Sequence, residues 1–299
     1  ASLNTPAGLA IGPNSNLFVA DSGNNRVLEY AAGAGNGAQA MRVYGQASMT
    51  TGVRQSPASA QTLWGAQGIA VDQASNLYVG DTAANRVLIF SNTQSAPAAG
   101  KPANYVIGQG TSFSGTAANA LRSPVGVAVD GDGTIYVADT GNNRVLIYPS
   151  FVFSNSGPAT GVVGQPNTSG TTANWDSSDG LATPNGLFGP VGLYVDRMDT
   201  LYVSDVGNHR VVQFLKPAAV VNSATLQASV PVAPSGLATL FSNGLTSEKT
   251  TVTGTTWPLS VTNRELVVND EIPAPIYYLD GNQVNFQMPS TAPSGANRI

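Results

Sequence analysis

The sequence predicts an all-β protein in which a β-propeller is followed by a small β-sandwich. A segment of about 60 residues occurs four times along the chain, and internal repetition at a fixed period is typical of propellers and solenoids. Each copy contains short apolar runs separated by turn residues, as strands and hairpins do. The repetition stops near residue 216, where the composition changes. We therefore expect a propeller over residues 1–215 and a sandwich over residues 216–299.

The repeat has a common core in which an apolar strand ends in Asp, a short turn follows, and Arg-Val begins the next strand. The shared acids are Asp21, Asp81, Asp139 and Asp205, at spacings of 60, 58 and 66 residues. The shared bases are Arg26, Arg86, Arg144 and Arg210. Three copies continue into a run that ends in Gly-Gln, at residues 45–46, 108–109 and 164–165, whereas the fourth copy has no such run.

Each copy is interpreted as one blade of four strands. In the third copy these are residues 126–129, 135–138, 145–148 and 161–164, with the hairpin sequence Asp-Gly-Asp-Gly after the first strand. The first two strands are apolar on both faces, which a strand requires when it is covered on both sides. Stacked propeller blades cover their middle strands in this way.

The core sequences ADSGNNRV, GDTAANRV, ADTGNNRV and SDVGNHRV resemble the NHL repeat. The resemblance covers residues 1–215 and implies a propeller of NHL-type four-stranded blades, four of which are visible. NHL propellers usually have about six blades. The sequence therefore leaves three alternatives open: a ring of four blades, a ring from which blades are missing, or a ring that a neighbouring chain completes.

The C-terminal segment resembles a module found at the end of large secreted bacterial proteins. The similarity lies in residues 221–224, 234–236, 241–245, 268–269, 272–275 and 282–287. This resemblance implies an immunoglobulin-like sandwich and an extracellular or cell-surface location. The chain ends one or two strands before such a sandwich would, so we expect either an incomplete domain or a groove for a partner strand.

Charge and composition exclude several classes of partner. Charged residues make up 10% of the chain, the net charge is −4, and only three residues are lysine. No cluster of Lys and Arg is present to neutralise phosphates, which argues against nucleic-acid binding and against anionic membrane surfaces. No apolar run is long enough to span a membrane. Without cysteine there are no disulfides, and a surface with so little charge favours association.

The repeated Asp and Arg residues are predicted to be structural. An Asp at a strand end can accept backbone N–H groups from the turn it begins, and the Arg five residues later can pair with it. Asp130 and Asp132 lack the further acidic ligands of a calcium loop. The single histidine, His209, replaces a turn Asn, and neither a second His nor a nucleophile elbow accompanies it. We expect no metal, no cofactor and no catalysis.

Binding is expected where the copies differ, in the long loops of residues 47–61, 111–120 and 166–186 and just before each first strand. The candidate contact residues are Trp64, Arg122, Trp175, Phe188 and His209. The sequence favours a non-catalytic extracellular binding or scaffold module that presents a protein or glycan to this loop face. Two alternatives remain: a subunit that self-assembles into a filament or surface layer by strand completion, and a propeller hydrolase or lyase.

Overall fold

A computed structural model describes residues 2–109, 113, 121–150, 157–197 and 199–214. Beyond these it describes the segments 220–222, 237–241, 250–251, 260–261, 264–265, 267–268, 272–279 and 283–288. The chain divides into two compact units. The first comprises residues 1–197 and 201–213, and the second comprises residues 198–200 and 214–299.

The first unit contains four antiparallel blades, each with its strands in sequence order. Blade 1 comprises β1 (Pro6–Ile11), β2 (Leu17–Asp21), β3 (Arg26–Tyr30) and β4 (Arg42–Tyr44). Blade 2 comprises β5 (Ala66–Val71), β6 (Leu77–Asp81), β7 (Arg86–Phe90) and β8 (Tyr105–Ile107). Blade 3 comprises β9 (Val127–Val129), β10 (Ile135–Asp139), β11 (Arg144–Tyr148) and β12 (Gly161–Val163). Blade 4 has three strands among the described residues, β13 (Pro190–Val195), β14 (Leu201–Asp205) and β15 (Arg210–Phe214).

A single 3-10 turn joins the second and third strands of every blade. These turns are Ser22–Asn24, Thr82–Ala84, Thr140–Asn142 and Val206–Asn208, and a fifth 3-10 turn, Thr93–Ser95, follows β7. The residue after each of the four repeated turns has a left-handed backbone, with φ between 52° and 54° at Asn25, Asn85, Asn143 and His209. Asn adopts this conformation more easily than most residues, which explains its recurrence at the point where the chain reverses.

The core lies between consecutive blades. Phe18 and Tyr44 of blade 1 pack against Leu77 and Phe90 of blade 2, and the Tyr44 and Phe90 rings meet edge-on with centroids 5.3 Å apart. A second cluster joins blades 2 and 3 through residues such as Tyr78 and Val137. The predicted four-stranded blades with middle strands covered on both sides are therefore confirmed for blades 1 to 3, whereas blade 4 has three described strands and is open on one side. The innermost strands β1, β5, β9 and β13 line one cavity of about 250 Å³.

The described part of the second unit contains nine short strands. They are β16 (Val220–Asn222), β17 (Leu237–Phe241), β18 (Thr250–Thr251), β19 (Ser260–Val261), β20 (Arg264–Glu265), β21 (Val267–Val268), β22 (Ile272–Pro273), β23 (Ile276–Leu279) and β24 (Gln283–Gln287). Five of them form one antiparallel sheet in the order β16-β17-β24-β23-β18. Ile276, Val284, Phe286 and Met288 are buried. The predicted sandwich stays a prediction, and its motif at residues 234–236 lies outside the described residues. The described part of the chain includes no helix that is long and apolar enough to cross a membrane.

Candidate functional site at the turn face

The four repeated 3-10 turns lie at one end of the blades, which we call the turn face. At this end every repeated Arg pairs with the Asp of its own blade. The Arg Nε to Asp Oδ2 distances are 2.6 Å for Arg26–Asp21, 2.8 Å for Arg86–Asp81, 2.7 Å for Arg144–Asp139 and 2.8 Å for Arg210–Asp205. All four carboxylates are fully buried. Burial raises the pKa of Asp81, and the charge of Arg86 opposes that rise.

The second oxygen of each Asp holds the residue that precedes the first strand. Asp Oδ1 accepts the backbone N–H of Asn4 at 2.6 Å, Trp64 at 2.5 Å, Arg122 at 2.6 Å and Phe188 at 2.7 Å. The prediction that each Asp accepts N–H groups from its own turn is therefore wrong, because no Asp side chain caps the turn that it begins. Each acid instead reaches a partner 17 residues earlier in the chain.

The same four residues are fixed a second time through their carbonyl groups. The carbonyls accept the backbone N–H of the second turn residue in each blade, which is Gly23, Ala83, Gly141 or Gly207, at 2.8–3.0 Å. Both main-chain polar groups of Asn4, Trp64, Arg122 and Phe188 are thus bound in the same way. We call these four positions the display positions, because an identical backbone carries four different side chains.

The repeated Arg and Gln residues attach the long loops to the turn face. Arg26 Nη1 donates to the carbonyl of Met49 at 2.7 Å, and Arg144 Nη1 donates to the carbonyls of Thr168 and Gly170. Gln46 donates to the carbonyl of Val53 at 3.0 Å. Of the predicted loop at residues 111–120, only Phe113 is described, and its carbonyl accepts from Arg86. Buried side-chain N–H groups of the repeated Arg and Gln residues therefore hold the backbone of the loops in place.

Trp64 is half-buried beneath its own loop. Its Nε1–H donates to the carbonyl of Gln55 at 2.7 Å, and Arg54 Cζ lies 3.8 Å from the centre of the indole ring, within range of a cation–π contact. Arg54 was missed in the sequence because the long loops differ from copy to copy, so no repeated pattern marks this residue.

Arg122 and Phe188 are exposed and lie across the glycines of their turns. A Cβ at Gly141 would come within 2.7 Å of Arg122 Cγ, and a Cβ at Gly207 would come within 2.5 Å of Phe188 Cγ. Real Cβ atoms do not approach other atoms so closely. The glycine in these turns therefore makes room for the side chain that is displayed above it.

Trp175, Phe188 and His209 are brought to the turn of blade 4, whereas Trp64 and Arg122 belong to the turns of blades 2 and 3. Trp175 is exposed and follows Asn174, whose amide exchanges hydrogen bonds of 3.0 and 2.8 Å with Asn208 of that turn. His209 is exposed and ends the same turn. Sequence reasoning had no signal for this grouping, because Asn174 and Asn208 are far apart in the chain.

In the Asp-Gly-Asp-Gly hairpin, the side chain of the first Asp accepts hydrogen bonds from later residues of the same hairpin. Asp130 Oδ1 accepts the backbone N–H of Asp132 at 3.0 Å and of Thr134 at 2.8 Å, while Oδ2 accepts the Tyr136 hydroxyl at 3.2 Å. Among the residues that the structure describes, no group of three or more His, Asp or Glu side chains is arranged to hold a metal ion.

Comparisons with known proteins address the repeat. The NHL repeat family matches residues 3–30, 121–148 and 189–214, which lie in blades 1, 3 and 4. No curated protein sequence matches the chain.

Solved structures that match the chain are distant. Streptogramin B lyase is 11% identical, with a TM-score of 0.39 over 79% of this chain and 61% of that chain. Kuenenia stuttgartiensis hydrazine synthase is 13% identical, with a TM-score of 0.41 over 81% and 57%. A protein of unknown function from Bacteroides caccae is 14% identical, with a TM-score of 0.39 over 69% and 58%. The chain spans about three fifths of the length of these proteins. The chain therefore carries NHL repeats in blades 1, 3 and 4, and its first unit contains four blades of a β-propeller.

Proposed function

We propose that this chain is a non-catalytic extracellular binding module that holds a protein or glycan on its turn face. The proposal rests on the display positions. Asn4, Trp64, Arg122 and Phe188 share one backbone arrangement and differ in amide, indole, guanidinium and phenyl chemistry. Variable side chains on a rigid scaffold are the usual basis of recognition surfaces.

The exposed aromatic groups favour a contact surface around the turn of blade 4. Phe188 and Trp175 are both large, apolar and accessible. Aromatic side chains combine a large contact area with few rotatable bonds, and for this reason they dominate the energetics of many interfaces. Arg122, on the neighbouring blade, adds a guanidinium that can bind carboxylates or stack on planar groups.

The repeated acids are poor candidates for acid–base chemistry. In all four blades, one carboxylate oxygen contacts an arginine and the other accepts a main-chain N–H. A general base needs a lone pair that faces the substrate. This arrangement supports a scaffold role for the acids and supports binding over hydrolysis or elimination.

The test is a glycan array together with a panel of purified cell-surface proteins, probed with the wild-type chain and with the variants Phe188→Ala, Trp175→Ala and Arg122→Ala. We expect one ligand class to bind, and at least one variant to weaken binding about tenfold. Met41→Ala is the matched control, because Met41 is exposed at the start of β4, at the opposite end of blade 1.

Two results would overturn the proposal. One is a complete absence of ligands, or a ligand whose affinity the three turn-face variants leave unchanged. The other is turnover: if chromatography of the incubated ligand reveals cleaved products, the chain is an enzyme and the hydrolase or lyase alternative replaces the binding module.

A further inference from the structure

Consecutive blades meet so closely at their innermost strands that only glycine fits. A Cβ on Gly8 would lie 2.2 Å from the carbonyl oxygen of Gln67 in blade 2. The equivalent distances are 2.3 Å from Gly68 to the Val125 oxygen and 2.2 Å from Gly126 to the Val191 oxygen. In blades 1 to 3, the glycine of the innermost strand leaves a notch, and a carbonyl group of the next blade occupies it.

Blade 4 retains this glycine although no strand among the described residues occupies the notch. Of the described residues, a Cβ on Gly192 would meet only Ser204 of the same blade, at 3.2 Å. Gly192 is also exposed. Gly192 lies in the register irregularity between Pro190 and Leu193 that blades 1 and 2 share, and in those two blades the equivalent glycine also receives a carbonyl of the next blade. Gly192 therefore leaves the same notch open, and no strand in the described part of the first unit occupies it.

The rest of this side of blade 4 is apolar and open. We call it the blade 4 face and define it by Gly192, Tyr194, Tyr202 and Val211. Val211 is 71% exposed, whereas its equivalents Val27, Val87 and Val145 are 0% exposed. Tyr194 is exposed as well, and its ring centroid lies 6.1 Å from that of Tyr202. A contiguous exposed apolar patch of this kind is typical of an interaction surface.

The complementary surface is exposed on β1 of the same chain. Leu9 is 69% exposed, whereas its equivalents Ile69 and Val127 are 7% and 5% exposed between blades. Ile11 is exposed beside it. Val19, Leu28 and Val43, farther out on this side of blade 1, are buried, so the open part is confined to β1.

We propose that the blade 4 face binds β1 of a second copy of this chain. The carbonyl of Ala7 in the second copy would enter the notch at Gly192, as the carbonyl of Gln67 enters the notch at Gly8. Leu9 would cover Tyr194 and Val211. The contact joins two different surfaces, so copies add head to tail. Such contacts close into a ring when the rotation allows it and extend into a filament when it does not.

Side chains that form hydrogen bonds between consecutive blades are replaced in blade 4, and this should weaken the contact with a second copy. Thr82 and Thr140 donate to the carbonyls of Pro124 and Pro190 in the next blade, at 2.7 and 2.6 Å. Asn25, Asn85 and Asn143 accept an N–H from the next blade at 3.0, 2.7 and 2.9 Å. In blade 4 these positions are Val206 and His209. The contact between copies keeps the apolar packing of the internal interfaces but loses these hydrogen bonds. It should therefore be weaker than an internal interface, and association should depend on protein concentration.

Light scattering and electron microscopy across a concentration range test this proposal. We expect the wild-type chain to form rings or filaments. Gly192→Ala and Val211→Asp should each raise the dissociation constant by about tenfold or more, because the first fills the notch and the second places a charge in the apolar contact. Val53→Asp is the matched control, because Val53 is equally exposed but lies in a loop. Circular dichroism and thermal melting establish that each variant is folded.

A variant that associates more tightly can distinguish docking of β1 in the manner of a blade from unspecific association of apolar surfaces. The double variant Val206→Thr and His209→Asn restores the residues of blades 2 and 3, and it should tighten association if β1 docks as a blade does. Because the chain contains no cysteine, single cysteines can report on the geometry. A chain with Leu9→Cys mixed with one carrying Tyr194→Cys should form a mixed disulfide dimer.

Several outcomes would overturn the proposal. A monomer at every concentration would mean that something other than a second copy covers the blade 4 face. Association that survives both Gly192→Ala and Val211→Asp, or that Val53→Asp weakens equally, would place the contact elsewhere. Disulfide formation between two Tyr194→Cys chains alone would indicate a two-fold contact instead of a head-to-tail one.

Discussion

Arg86 Nε lies 2.8 Å from Asp81 Oδ2, and both side chains are completely buried. Arg86 also donates to the carbonyl of Thr62 at 2.7 Å, and Trp64 N–H occupies the other oxygen of Asp81. Removing one member of a buried pair leaves the other charge without compensation, and that loss outweighs the attraction that the pair contributes.

We therefore predict that Asp81→Asn lowers the free energy of unfolding by about 3–5 kcal/mol. Asp205→Asn is the matched comparison, because its partner Arg210 is 26% exposed and can be solvated, and we expect a loss of about 1–2 kcal/mol there. Guanidinium denaturation followed by near-ultraviolet circular dichroism measures both variants. Equal losses would mean that the burial of the arginine does not determine the cost.

The left-handed Asn that follows each turn has two separable roles. Asn85 has φ of 54°, and its side chain accepts the N–H of Ser123 in the next blade at 2.7 Å. Asn85→Ala should cost about 2–3 kcal/mol, because both the backbone conformation and the hydrogen bond become unfavourable. Asn85→Gly should cost about 1 kcal/mol, because glycine tolerates the backbone and loses only the hydrogen bond. If the two variants are equally stable, backbone strain does not contribute.

Glu29 belongs to a polar network of blade 1 that has no equivalent among the described residues of the other blades. Its carboxylate accepts the Tyr44 hydroxyl at 2.8 Å and pairs with Arg42 at 3.0 Å, whereas blade 2 has Ile89 at the equivalent position. Glu29→Ile should destabilise the chain by about 1–3 kcal/mol, because the buried Tyr44 hydroxyl loses its acceptor. Adding Tyr44→Phe should recover most of this loss, which denaturation of the single and double variants measures. A double variant that is less stable than Glu29→Ile would contradict this explanation.

Buried tyrosines make stability fall at alkaline pH. Burial raises the pKa of Tyr44, Tyr78 and Tyr148, and a nearby carboxylate, respectively Glu29, Asp72 and Asp139, adds to the rise. A tyrosine in the unfolded chain ionises near pH 10. Above that pH the unfolded state binds fewer protons than the folded state, so the free energy of unfolding decreases as pH rises.

Ultraviolet difference titration tests this expectation. We expect these three of the ten tyrosines to remain protonated well above pH 10 while the chain is folded, and to ionise together with unfolding. Titration in guanidinium should return all ten to one transition. A single transition near pH 10 in the folded chain would show that these hydroxyls are not protected.

The blades were predictable because their pattern is local and repeated. The strands expected at residues 135–138 and 145–148 are found as Ile135–Asp139 and Arg144–Tyr148, since alternation and turn residues define a hairpin within a few positions. The pairing of Asp81 with Arg86 was predicted and is confirmed. The second partner of Asp81 was not predictable, because the N–H of Trp64 is 17 residues away and every residue except proline supplies the same group. Arg54 was missed for a related reason, since its contact with Trp64 occurs in a loop of one copy only.

The display positions also bear on how recognition can change. Main-chain groups, which every residue except proline possesses, hold residues 4, 64, 122 and 188 in place. The side chains at positions 4, 122 and 188 are exposed, so their chemistry is weakly coupled to folding, whereas Trp64 also contacts Gln55 and Arg54. A combinatorial library randomised at positions 4, 122 and 188, with proline excluded, should therefore yield folded clones at nearly the frequency of the parent, and natural selection can exchange one specificity for another there in single steps.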